Sequence, residues 1–286
     1  MSVLQDESLS LVTARPAPAF RRYGQEIAAL TSRNLIRIQR SPERIMFSLI
    51  TPIMFTLLFR FVFGGAISSL QGVSYPLYLI PGVAVQIIAL ASVTSGFAIA
   101  DDLTTGYFYR VRTLPTARSA VLLARVCADL VNSVGQLVVL LAVGFAVGYR
   151  TSSAAGLVAG CGVLLLFGVA LSLAFATIGL WVSRPDTVNA IAMPLIFPLT
   201  FASTAFVPPA TMPGWLQQFA QYQPVSVACD AFRALALGQQ DTPAVRHAFF
   251  GGRSDAELVL AAVAWSVAIA AVALAMALRR YRRLSG

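Results

Sequence analysis

Six long apolar runs mark the chain: Ile45 to Gly64, Leu79 to Ala100, Val121 to Gly148, Gly156 to Val182, Val188 to Val207, and Leu258 to Leu278. Each approaches or exceeds the ~20 residues that a helix needs to cross a bilayer core. The third and fourth are long enough to tilt or to project beyond it. The fifth carries Pro194 and Pro198, so a kink or a break is expected there, where neighbours must re-satisfy the freed carbonyls. Ahead of the first run the period changes. Between Phe20 and Ser41, the residues Phe20, Ile27 and Ile38 share one helical face, flanked by Tyr23 and Leu30, while Arg33, Arg37 and Arg40 stack on a separate stripe. That pattern predicts an amphipathic helix lying in the membrane interface with its guanidinium groups among headgroups. Ser41 and Pro42 then break the helix and turn the chain into the first run. Between the fifth and sixth runs, residues 208–257 form the one long segment outside the membrane. Trp215, Leu216 and Phe219 make a short apolar cluster there, and Val225 to Leu237 reads as a short helix between Pro224 and Gly238. The two together suggest a hairpin resting on, or dipping into, the outer leaflet.

Arginine placement orients these runs. Arg15, Arg21, Arg22, Arg33, Arg37, Arg40 and Arg44 precede the first run; Arg110, Arg112 and Arg118 follow the second; Arg184 follows the fourth; Arg279, Arg280, Arg282 and Arg283 follow the sixth. With an even number of spans all of these share one side, and the other keeps Arg150, Arg233, Arg246 and Arg253. Both termini are therefore expected in the cytoplasm. The fold class is all-α: a polytopic membrane protein with six transmembrane helices and an N-terminal interfacial helix. It divides into a cytoplasmic segment (1–44), a six-span domain (45–278) with an inner loop at 101–120 and an outer segment at 208–257, and a basic cytoplasmic tail (279–286).

Composition sharpens this. Hydrophobic residues make up 57% of the chain and charged residues 12%, about half the ~25% usual for a soluble domain. All 21 basic residues are arginine. Without lysine there is no P-loop of the usual form, whose lysine reaches the β- and γ-phosphates, and lysine nucleophiles and Schiff bases are excluded too. The net charge of +9 does not point to nucleic acid, because the arginines flank apolar runs. Cys127, Cys161 and Cys229 lack metal-ligand spacing, and an odd number argues against a disulfide framework. No metal site is expected.

The inner loop carries the most information. Asp101 and Asp102 open it, Arg110 and Arg112 follow, Pro115 interrupts it, and Arg118 adds a second basic step. The acidic pair suits a helix N-terminus. A short amphipathic helix held between two spans at the cytoplasmic face is well suited to take a push from a soluble partner.

Here the sequence resembles a family. Asp102, Gly106, Arg110, Arg112, Pro115 and Arg118, followed by Ser119 to Arg125, are similar to the coupling segment of the ABC exporter permeases that include the daunorubicin-resistance membrane subunit. Phe206-Val207-Pro208, Met212 to Leu216, Pro224, and Arg233-Ala234-Leu235 resemble that family's segment before its last span. The resemblance implies a bacterial plasma-membrane permease with six spans per subunit, paired with a second permease as a homodimer or heterodimer. It also implies two copies of a separate ABC ATP-binding subunit, which carries the ATP and magnesium, so that this chain binds no cofactor. The six named loop residues would dock on that ATPase, and the cargo would be an amphipathic or lipid-like compound: a drug, an antibiotic or a lipid.

Three residues are candidates for a substrate path or subunit contact: Arg60 near the outer end of the first run, Trp215 and Phe219. Snorkelling to the outer headgroups is the simpler account of Arg60. Asp129 and Arg125 lie four apart on one helical face, which suggests a local ion pair. An ion-coupled secondary transporter is the rival function, but it expects several membrane-buried carboxylates. An intramembrane enzyme would need a nucleophile and base, or paired carboxylates, at membrane depth.

Overall fold

The computed structural model describes residues 19–40, 42–63, 75–106, 118–238, 246 and 249–284. These residues are all-helical, with no strand among them. In chain order the helices are α1 (Ala19–Gln39), α2 (Pro42–Leu58) continued by a π-helical turn (Phe59–Phe63), α3 (Tyr75–Thr104), α4 (Arg118–Ala146), α5 (Ala154–Val182), α6 (Pro185–Phe201), α7 (Gly214–Tyr222), α8 (Pro224–Leu237) and α9 (Asp255–Leu284). A 3₁₀ turn (Pro209–Thr211) precedes α7.

Among the described residues four helices are long and apolar enough to cross a membrane: α3, α4, α5 and α9. Their boundaries have local causes. Pro42 opens α2, at a position where its missing N–H costs nothing. Ser153 caps α5 by accepting from the Gly156 N–H, and Ser183 ends it in the left-handed region at φ 57°. The fifth apolar run departs from expectation. α6 continues through both Pro194 and Pro198 but stops at Phe201 rather than Val207. Its 17 residues span about 25 Å. Past Phe201 the chain turns: the Ser203 hydroxyl donates to Thr200 O at 2.5 Å and accepts from the Ala205 N–H at 3.0 Å.

α3 is apolar all round, as a helix surrounded by protein must be. The apolar stretch of α3 is 83% buried, against 22% for that of α9, which places α3 at the centre and α9 at the rim. α5 packs against both α3 and α9. Small residues allow this approach. A Cβ added at Gly96 would run into the Phe175 carbonyl, and one at Gly179 into the Gly96 backbone, so the two helices meet main chain to main chain.

The outer segment contains the expected pair of short helices, but only α7 is peripheral. Trp215 is 75% exposed and Phe219 49%, whereas α8 is buried along nearly its whole length. α8 packs against α3, α5 and α9 and forms part of the core.

Candidate coupling and transport site

At one end of the bundle α1 lies along α4, where the Thr31 hydroxyl donates to Ala124 O at 3.3 Å. Arg37 then bridges to the last turn of α3: Nη2 reaches Asp101 Oδ2 at 2.5 Å and Nη1 reaches Asp102 Oδ1 at 3.1 Å. Burial opposes the Arg37 charge, but the two carboxylates outweigh it and hold the guanidinium pKa above its ordinary value. Two expectations change here. Arg37 is held by two carboxylates of α3, while Arg33 is half-buried and Arg40 exposed. Asp101 and Asp102 do not begin a new helix. They occupy the C-terminal turn of α3, where the helix dipole disfavours negative charge and Arg37 offsets it.

The helix ends locally. Thr104 and Thr105 hydroxyls both donate to Asp101 O at 2.9 Å, and Gly106 follows at φ +70°, in the left-handed region. Among the described residues a Cβ on Gly106 would meet nothing within 4 Å, and the left-handed conformation is what favours glycine here. Arg110, Arg112 and Pro115 lie outside the described residues. Arg118 opens α4.

One step deeper, Arg125 and Asp129 of α4 pair at 3.1 Å, as their spacing suggested. Sequence did not show the further partners on α3: Ser95 donates to Asp129, and Arg125 donates to Thr94 O at 3.2 Å. Beside this pair lies a cavity of about 570 Å³ between α2, α3, α4 and α6. Arg125, Asn132 and Gln136 line one side, and Phe55, Phe97 and Phe197 line others. Arg60, Trp215 and Phe219 are not among its lining residues.

A second buried network holds α8. Arg233, 1% exposed, donates to Asp230 Oδ1 at 2.7 Å, to Thr204 O at 3.1 Å and to Tyr78 O at 3.2 Å. Its guanidinium lies 4.0 Å from the centre of the Tyr78 ring. The Tyr78 hydroxyl donates to Thr204 O at 2.6 Å, and Thr204 Oγ1 donates to Asp230 Oδ1 at 2.8 Å. Arg253 approaches Asp230 from the far side at 3.7 Å. From sequence, Arg233 stands among the few outer arginines and in the Arg233-Ala234-Leu235 stretch that resembles the family's outer segment, but its partners do not show. The available signal was the Asp230/Arg233 spacing of three inside an otherwise apolar short helix.

A family model described as ABC-2 type transporter matches residues 25–237. The chain belongs to the ABC-2 transporter family. Among its relatives is the daunorubicin resistance ABC transporter permease protein DrrB1 of Streptomyces coeruleorubidus, 33% identical over 72% of this chain and 73% of that protein. The probable doxorubicin resistance permease DrrC of Mycobacterium tuberculosis is 26% identical over 77% of this chain and 80% of its own length. The putative transport permease ycf38 of Pyropia yezoensis is 27% identical over 74% of each. The ABC-2 match runs from within α1 to the end of α8, so it takes in the Arg37 bridge, the cavity and the Arg233 network together. The protein is thus a multi-pass membrane permease of the ABC transporter kind.

Proposed function

We propose that this chain is the membrane-spanning subunit of an ATP-driven exporter. It moves an amphipathic or lipid-like compound out of the cell through the bacterial plasma membrane. Six spans, with α2 and α6 as the two short ones, put both termini in the cytoplasm, in keeping with the arginine asymmetry. A second permease subunit completes the pathway, and two copies of a separate ATP-binding subunit supply the energy. The absence of lysine, and so of the usual P-loop, from this chain agrees with that division of labour.

The observation that carries this reading is the Arg37 bridge to Asp101 and Asp102, in a chain of this family. It ties α1, the inner end of α3 and the start of the 101–120 loop into one mechanical unit. A partner pressing on that loop would move α3, the central helix, and not merely a tether. ATP must bind the outward-opening state better than the inward one, or it shifts nothing. The loop residues Asp102, Gly106, Arg110, Arg112, Pro115 and Arg118 carry that difference across.

The test is reconstitution in proteoliposomes with an ATP-binding subunit and a panel of lipophilic compounds that includes daunorubicin and doxorubicin, the drugs named in its relatives. ATP-dependent accumulation of at least one compound is expected. Transport driven by a proton gradient without any ATPase would replace this reading with the secondary-transporter one.

A further inference from the structure

α6 is open along most of its surface. Val188, Ala192, Ile196 and Thr200, one stripe at four-residue spacing, are its buried residues. Pro194 and Pro198 stand at exposed positions. Each withholds the N–H that would answer the carbonyl four residues earlier, on Ala190 and Pro194, and these two positions are exposed as well. Nearer the end of the helix the chain answers free carbonyls itself: Gln223 Nε2 donates to Leu199 O at 2.9 Å and to Ala202 O at 2.7 Å. Among the described residues no side chain does this for Ala190 or Pro194. Hydrocarbon offers no donor, so at bilayer depth such backbone is tolerated only against protein or water.

The cavity beside α6 points the same way. Asn132 lines it, half-buried, at the midpoint of α4, and Asn189 of α6 lines it from an exposed position. Neither amide has a hydrogen-bond partner among the described residues. α9 is the contrast, with the surface of a lipid-facing helix. It contains no proline, its Ser266 is 1% exposed and donates to Ala262 O, and Leu260, Val267 and Leu274 are exposed.

Charge identifies what covers α6. A surface that pairs about a two-fold axis meets itself, so like groups stand against like. From Thr187 to Phe201 α6 has no charged residue. Ile191, Leu195, Phe197 and Phe201 are exposed for packing, and an amide both donates and accepts, so it can pair with its own kind. We infer that the open side of α6 packs against the α6 of a second copy of this chain, and that each copy closes the other's cavity. The inference rests on the reading that a second permease completes the pathway, and deepens it by naming that permease and the face it uses.

The experiment uses the full chain with Cys127, Cys161 and Cys229 replaced, reconstituted in lipid without an ATPase. Its failure therefore leaves standing an exporter with a different second permease. Ala190→Cys and Phe197→Cys lie two turns apart on the side of α6 opposite the buried stripe. Val267→Cys and Leu274→Cys repeat that spacing on the exposed side of α9. Oxidation should convert one or both α6 variants to a covalent dimer and leave both α9 variants monomeric. Dilution with excess lipid should not lower the dimer yield, as it would for chance collisions. In cells that express two differently tagged copies, the α6 adduct should carry both tags. The assignment is overturned by dimers that form equally from both helices or only from α9, by the absence of dimer from both α6 positions, or by a yield that falls with lipid dilution. An α6 adduct in cells with another polypeptide in place of the second copy would overturn it too.

Discussion

Nη1 of Arg37 stands 3.1 Å from Oδ1 of Asp102, joining α1 to the last turn of α3. The pair is unequal in exposure: 37% of the arginine side chain is accessible and 12% of the aspartate's. Asp101 makes a second contact to the same guanidinium at 2.5 Å. The arrangement stabilises in two ways, as an ion pair and as a counter-charge at a helix C-terminus.

An exposed ion pair contributes about 0.2–1 kcal/mol, and relief of the dipole conflict contributes a similar ~0.3–1 kcal/mol. Arg37→Ala should therefore lower stability by about 1 kcal/mol, and Arg37→Glu by more, because it places a third carboxylate beside the first two. Thermal unfolding in detergent, run as a double-mutant cycle with Asp101→Asn/Asp102→Asn, measures the coupling. Strictly additive losses would show that these residues do not act on each other.

The Arg233 network should be less forgiving. Arg233 is 1% exposed and Asp230 fully buried. Removing one partner of a buried pair costs about 3–5 kcal/mol, and here Asp230 would keep only the more distant Arg253, at 3.7 Å, as a counter-charge. Arg233→Met should therefore be severely destabilising. The double variant Asp230→Asn/Arg233→Met should recover part of the loss, because no fully buried carboxylate remains and Arg253, which loses its contact to Asp230, is partly exposed. Protein yield and melting temperature of the three variants decide it; a double variant no better than Arg233→Met would refute the ion-pair account.

Packing gives a third prediction. A Cβ at Gly179 collides with the Gly96 backbone, while one at Gly162 meets nothing within 4 Å. Overpacking of a tight contact costs about 1–3 kcal/mol. Gly179→Ala should thus lower the melting temperature measurably, and Gly162→Ala, on the same helix, should leave it unchanged or slightly raised. Equal behaviour of the two would mean that α3 and α5 do not meet main chain to main chain.

Sequence alone located the apolar runs, because a bilayer's thickness imposes length and arginine marks the ends. It also located α7 and α8, because Gly214, Pro224 and Gly238 punctuate them. It misplaced Asp101 and Asp102. The apolar run ends at Ala100, but the helix carries on through Thr104, since each added residue gains a backbone hydrogen bond and hydropathy does not register that gain. Arg37 looked like a headgroup ligand because its partner lies far away in the chain, on α3, and helical periodicity reports a face but not what covers it. Arg233 was hidden for the same reason: three of its acceptors are backbone carbonyls, of Tyr78, Thr204 and Ala205, which any sequence supplies everywhere.

The proposed topology is testable at two described, exposed positions, Thr104 and Ser254. In a background with Cys127, Cys161 and Cys229 replaced, Ser254→Cys should react with an impermeant thiol reagent in intact cells. Thr104→Cys should react only after the membrane is opened. Labelling of Thr104→Cys from outside would invert the model.

Coupling through the 101–120 loop makes the last prediction. Gly106 adopts φ +70°, which costs a side-chain-bearing residue about 1–2 kcal/mol, and it directly follows the turn that Asp101 and its threonines close. Gly106→Val should therefore re-aim the loop relative to α3 without disturbing the bundle, because no atom of the other described residues lies within 4 Å of the added Cβ. Arg110→Glu acts differently, by removing charge-assisted hydrogen bonds worth roughly 1.5–3 kcal/mol to a carboxylate on the ATP-binding subunit or to a neighbouring loop. Both variants should insert and melt like the parent, yet the ATPase should co-purify about tenfold less well or lose its stimulation by transported compound. Gln218→Glu, exposed on α7 at the opposite end, should leave association unchanged. Arg37→Ala separates the two roles: it should keep the ATPase bound but uncouple it, since the loop remains while its tie to α1 is gone. If the Gly106 and Arg110 variants assemble and transport like the parent, the loop does not carry the stroke, and the power must enter the bundle through another cytoplasmic surface.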